Sequence, residues 1–204
     1  VKGGTNRRLD QPRETTLAAA LELIAEQGLA GMTMAALGKR LGTSGGHLLY
    51  YFGSKDRLLL ETLRWSEGGY AEQREELLSR PPGVDAVVAF ADLFLPTHRE
   101  DSRWVLWLDL WARAPYNEAL AAAQRELDGA WRTTLGTIVD AGVAAGTFRP
   151  EPVASWTDRF LAMLDGFGVA IVTGAPMPRR TILERVRDDV VTSLVRAVSA
   201  PRAG

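Results

Sequence analysis

At 204 residues and 46% apolar side chains, the chain is long enough to bury a core and too apolar to be disordered. No apolar run approaches the ~20 residues of a membrane-spanning helix, and residues 1–10 are polar and basic without the apolar stretch of a secretory signal. The lack of cysteine excludes disulfides, thiolate metal sites and a cysteine nucleophile, which fits a cytoplasmic setting, and the net charge of −1 conceals a net +3 over residues 1–64 (nine basic, six acidic) against −4 over the rest.

A first helix is predicted from Asp10 or Gln11, with Pro12 in its first turn, to Gly28; Leu17, Leu21, Ile24 and Ala25 recur on one face. Thr33 is placed to cap a second helix whose apolar positions are Met34, Leu37 and Leu41, and Gly42 closes it. Ser44 caps a short third helix that carries Leu48 and Phe52 inward and ends at Phe52-Gly53. Ser54 caps a fourth, with Asp56 complementing the helix dipole. That helix is expected to run to Ser79, weakened by Gly68-Gly69 and ended by Pro81-Pro82. Further helices are expected over Val84–Leu95, Glu100–Ala114, Asn117–Ala145, Pro152–Thr173 and Pro178–Ser199, and no segment alternates at the period of a strand. The fold class is therefore all-α: a three-helix head over residues 1–53 and a larger helical body over 54–204.

Two short helices broken at Gly42 have the form of a helix-turn-helix, which offers its second helix to the DNA major groove. The leading end of that helix, Ser44, Gly45 and His47, brings free N–H groups suited to a phosphate oxygen, and the glycines allow close backbone approach. His47 is either a base or phosphate donor or an ordinary exposed histidine. Tyr50 and Tyr51 carry hydroxyls that reach phosphates, but they diverge by about 100° on a helix, so only one faces DNA squarely. Lys55 lies at a helix start, where a cation is disfavoured; a nearby phosphate or plain solvation accounts for it. Arg7 and Arg8 form either a minor-groove arm or a solvated tail.

The pattern Thr33…Leu37…Gly42-x-Ser44-x-Gly46-x-Leu48-x-x-Tyr51-Phe52-x-Ser54-Lys55-Asp56-x-Leu58 resembles the DNA-binding head of TetR-family regulators. The resemblance covers roughly residues 12–63. The run Tyr51-Phe52-Gly53-Ser54-Lys55-Asp56 and the tryptophan-rich body are similar to the choline-pathway, BetI-like branch. Resemblance implies a homodimer, usually a repressor, whose body binds a small effector that releases double-stranded operator DNA. It maps phosphate and base contacts onto Thr33, Ser44, Gly45, His47, Tyr51 and Lys55, with Tyr50 as a candidate replacement because Leu49 stands where the family often has tyrosine. Gly38 stands where alanine is usual, which loosens the second helix.

In the body, Trp104, Trp107 and Trp111 share a helical stripe, and Phe90, Phe94 and Phe167 are candidate partners. They wall an effector pocket, with the option of a cation cage, or pack as core. Asp109 is spaced to pair with Arg113. Phe160 and Leu164 on one late helix, and Val186, Val190 and Leu194 on the next, form a dimer interface or an internal core. With two histidines, His47 and His98, and no HExxH, P-loop or dinucleotide signature, no enzyme, metal site, cofactor or membrane partner is expected. The reading is a ligand-responsive DNA-binding repressor; the alternative is a helical sensor or adaptor without DNA binding, which Leu49 and the paired glycines would suit.

Overall fold

The computed structural model describes residues 12–149 and 152–195, and among these the all-α expectation holds. The helices are α1 (Arg13–Gly31), α2 (Met34–Leu41), α3 (Gly45–Phe52), α4 (Lys55–Gly68), α5 (Ala71–Leu78), α6 (Val84–Phe94), α7 (Ser102–Arg113), α8 (Glu118–Ala144), α9 (Val153–Thr173) and α10 (Arg179–Val190). A 3-10 turn, Ala114–Tyr116, lies between α7 and α8, and a π-type turn, Val191–Val195, prolongs α10.

Two boundaries differ from expectation. The first helix kinks at Gly28 (φ 70°, ψ 174°) rather than stopping there, and runs on to Gly31. The helix expected from Ser54 to Ser79 is two helices, α4 and α5, parted at Gly69 and Tyr70. Adjacent glycines each cost about 1 kcal/mol against alanine, which is enough to end the helix rather than weaken it. Arg7, Arg8 and the end of the last predicted helix lie outside the described residues.

The chain divides into two compact units. One contains α1 to α4, α7 and the start of α8 (residues to 69 and 100–124); the other contains α5, α6, the rest of α8, α9 and α10 (residues 70–99 and from 125). In the first unit α7 packs against α1 and α4. Leu23, Ile24, Leu37, Leu48, Phe52, Leu58, Leu63 and Trp104 are buried there, each such side chain worth about 1.5–3 kcal/mol. Polar ties hold α7 to both ends of α4. Arg113 meets Asp56 at 2.7 Å in the first turn of α4, and it also pairs with Asp109, as its spacing predicts. In the last turn, the buried Glu67 accepts a 2.7 Å hydrogen bond from Trp107 Nε1 and lies 3.4 Å from Arg103.

In the second unit α6 packs on α10 over a core that includes Phe90, Trp131, Leu135, Trp156 and Phe160. Trp156 stacks on Phe160 at 4.5 Å and donates from Nε1 to Ser193 Oγ at 2.9 Å. Here the expected dimer interface is corrected. Phe160 is 3% exposed, and Leu164, Val186, Val190 and Leu194 are all at 0%. Their apolar surface is already spent inside one chain, so none remains for a second copy. The internal-core alternative is the one observed for these five.

Candidate nucleic-acid interface

The helix-turn-helix is set by local chemistry at each joint. Thr33 Oγ1 accepts from Ala36 N at 3.0 Å, Ser44 Oγ from His47 N at 3.0 Å and Ser54 Oγ from Arg57 N at 3.1 Å, so the three expected N-caps form. Gly42 takes the left-handed conformation (φ 69°) that a side chain resists. The N–H of Thr43 then bonds to the Gly38 carbonyl at 2.9 Å, closing α2 before the chain turns.

α2 and α3 touch backbone to backbone. A Cβ on Gly38 would lie 2.7 Å from Gly45 N, and one on Gly45 would lie 2.9 Å from Ala35 N and from the Met34 carbonyl carbon and oxygen. Gly38 therefore admits the turn rather than loosening α2. The missing side chain of Gly45 likewise serves the crossing with α2 instead of an approach to DNA. Gly46, by contrast, opens outward, with only Ser44 Oγ within 4 Å of its Cβ position.

Leu48 and Phe52 are buried to 0% and 1% and anchor the inner face of α3. The opposite face carries Gly46, Leu49, Tyr50 and Gly53, all exposed. The two tyrosines separate as their spacing predicts. Tyr50 projects outward at 78% exposure, while Tyr51, at 39%, sets its ring edge-on to Phe52 at 5.2 Å. His47 is half-buried, and its Nε2 has no hydrogen-bond partner among the described residues. Thr33 and Ser44 are exposed beside this face, but their hydroxyls already accept the caps. Lys55 Nζ donates to the Leu29 carbonyl at 3.3 Å, tying α4 to the end of α1. That bond explains a cation at a helix start and uses one of three donors. Arg40 is bound to Glu26 and Glu22, whereas Lys39, exposed beside it, has no ion pair among the described residues.

Leu49 and Lys39 are exposed on the head and stand outside the contacts that the resemblance implies. The signal for Leu49 was present, because positions 46, 49, 50 and 53 are the helical complement of the inward positions 45, 48 and 52.

This geometry matches a known group of proteins. Residues 17–62 fit the model of bacterial regulatory proteins of the tetR family, and residues 83–196 fit that of the BetI-type transcriptional repressor C-terminal domain. The chain belongs to the TetR family. It is similar to the HTH-type transcriptional regulator BetI 1 of Chromohalobacter salexigens, 29% identical over 92% of each chain. With BetI of Stenotrophomonas maltophilia it shares 31% identity over 57% of this chain and 61% of that one. A solved Saccharomonospora viridis protein described as a transcriptional regulator, in complex with choline, superposes with a TM-score of 0.82 at 24% identity, covering 91% of this chain and 98% of its own. The chain is thus a DNA-binding transcriptional regulator of the TetR family with a BetI-type C-terminal half. No helix among the described residues is long and apolar enough to cross a membrane.

The six candidate effector residues fall three in each unit. In the first, Trp104 and Trp107 are buried, and Trp111 meets them at 5.9 and 5.8 Å. In the second, Phe90 and Phe94 stack at 6.0 Å and both set their edges on Trp131, while Phe167 is half-buried beside the core. The Arg74 guanidinium lies 4.9 Å from the Trp131 ring centre. Trp131 is the aromatic hub of the second unit and did not figure among the sequence candidates.

Proposed function

We propose that the protein is a cytoplasmic homodimeric repressor that releases its operator when a small organic cation binds its body. One observation carries the coupling. Only Gly53 and Ser54 separate α3 from α4, and α7 grips α4 at both ends, through Arg113 to Asp56 and through Trp107 and Arg103 to Glu67. A ligand that moves α7 must therefore bias α4 and, with it, the outward face of α3. A coupling of about 1–3 kcal/mol is typical of such linkage, and a changed spacing between the two heads of a dimer weakens binding to half-sites about one helical turn apart.

Tyr50, Tyr51, Lys55 and Thr33 are proposed to face phosphates, with the α3 N-terminus from Ser44 to His47 against phosphate and base edges. The dimer face is proposed on the outward stripe of α9 formed by Ala162, Gly166 and Val169, which remains at least partly exposed in the single chain. The cationic effector is supported by the BetI-type C-terminal half and by choline in the similar Saccharomonospora viridis structure, with the tryptophan cluster of α7 as the aromatic surface for a quaternary ammonium.

The test is thermal stabilisation by choline and by its uncharged carbon analogue, 3,3-dimethylbutan-1-ol, with release of bound duplex followed in parallel. At about 100 times Kd a ligand stabilises by about 2.7 kcal/mol, equivalent to about 5–10 °C in a domain of this size. The expected result is stabilisation and duplex release by choline alone. Equal response to both compounds overturns the cation reading, and binding without release overturns the coupling.

A further inference from the structure

We propose that Leu49 is a specificity-determining residue that reads thymine methyl groups in the major groove. This rests on the DNA-binding reading of α3 and goes beyond it. Base edges are usually discriminated by forked donors and acceptors, arginine or lysine on guanine and asparagine or glutamine on adenine. Residues 45–52 are Gly-Gly-His-Leu-Leu-Tyr-Tyr-Phe, so α3 contains none of these. Its polar side chains are the Tyr50 and Tyr51 hydroxyls, assigned to phosphates, and His47, which is half-buried with its Nε2 enclosed. Tyr51, 39% exposed, leans its ring edge-on against Phe52, and of the fully outward positions Gly46, Leu49, Tyr50 and Gly53 only Leu49 and Tyr50 have side chains.

These two have different reach and chemistry. Tyr50, 78% exposed, ends in a hydroxyl that suits a phosphate. Leu49, 43% exposed, offers only an isobutyl group and gains nothing from a polar base edge. The one apolar feature of the major groove is the C5 methyl of thymine. Gly46 precedes Leu49 on the same face with open space at its Cβ position, so the helix can seat closely there and bring Leu49 to the groove floor. Burying the exposed isobutyl against a methyl removes two apolar surfaces from water at once, whereas a leucine left in solvent gains nothing.

The experiment begins with full-length protein and a random-sequence duplex library, from which tight binders are enriched. Each thymine of the protected footprint is then replaced singly by uracil, which keeps the O4 acceptor and lacks the methyl. The same duplexes are titrated with Leu49→Ala and Leu49→Gln. Both are good helix formers at an exposed position, so folding is preserved and is checked by circular dichroism. The wild type is expected to lose about fourfold in affinity for each contacted methyl removed, at one or more thymines per half-site. Both variants are expected to bind the thymine duplex more weakly and to show no further loss with uracil. Undiminished wild-type binding to every uracil duplex overturns the proposal, as does a full uracil penalty retained by the variants. Failure to enrich any duplex overturns the DNA-binding reading itself, and this proposal with it.

Discussion

The α2–α3 pair and the α9–α10 pair achieve a fixed geometry by opposite means. α2 and α3 meet through Gly38 and Gly45, with backbone atoms where side chains would stand, and their ends are tied by the Thr33 and Ser44 caps. α9 and α10 bury large side chains, Trp156 on Phe160 with Val186, Val190 and Leu194 in the same core. Close backbone contact leaves the outward face of α3 free of packing duties, so its residues are available for a partner. The packed face of α9 and α10 has no such freedom, because its apolar groups are consumed holding the second unit together.

If this contrast is right, its core side breaks hardest. Phe160→Ala should cost about 3–5 kcal/mol in denaturant unfolding, with operator affinity per folded molecule unchanged. Asp165 is the weak point of the same unit. Burial first, and then the Asp128 charge, push its carboxyl up to about 7. Its folded-state value thus lies above its unfolded one, so the folded state holds the extra proton between about pH 4 and 7. Stability should fall as pH rises through that window, by at most about 1.4 kcal/mol per unit. Asp165→Asn should flatten this slope in pH-dependent melting and raise Tm at pH 8 more than at pH 4.

The head should fail differently. Gly45→Ala forces α2 and α3 apart at a 2.9 Å contact. About 1–3 kcal/mol of stability is expected to be lost, and operator affinity, read by anisotropy, should fall by more than that loss alone explains. Ser44→Ala is the mildest, about 1 kcal/mol for a lost cap, resolved in the unfolding midpoint.

What was legible in the sequence follows from the range of the forces involved. Thr33, Gly42, Ser44, Gly53 and Ser54 mark boundaries through bonds spanning three to five residues, so the limits of α2 and α3 and the start of α4 are legible in a string, whereas α1 runs past its expected stop at Gly28. The Gly38–Gly45 crossing could not, because the clash that forbids a Cβ arises only once two helices meet. The choice between interface and core for Phe160, Leu164, Val186, Val190 and Leu194 has the same root. An apolar excess specifies that a face is buried, not whether the burying surface belongs to the same chain. Trp131 went unnoticed because nothing local distinguishes it from its helical neighbours, and its partners Phe90 and Phe94 lie on another helix. Lys55 stands at an unfavourable helix position in the sequence, and the Leu29 carbonyl that accepts its bond comes within reach only once α1 packs there.

The central claim is that the outward face of α3 is the surface that meets DNA, and Tyr50→Ala tests it most directly. Tyr50 is 78% exposed, so its removal should leave Tm unaltered. Anisotropy titration of an enriched duplex should then show specific affinity lowered about tenfold or more, as for loss of a hydrogen bond to a charged group. Wild-type affinity in that variant, with the fold intact, would contradict the account.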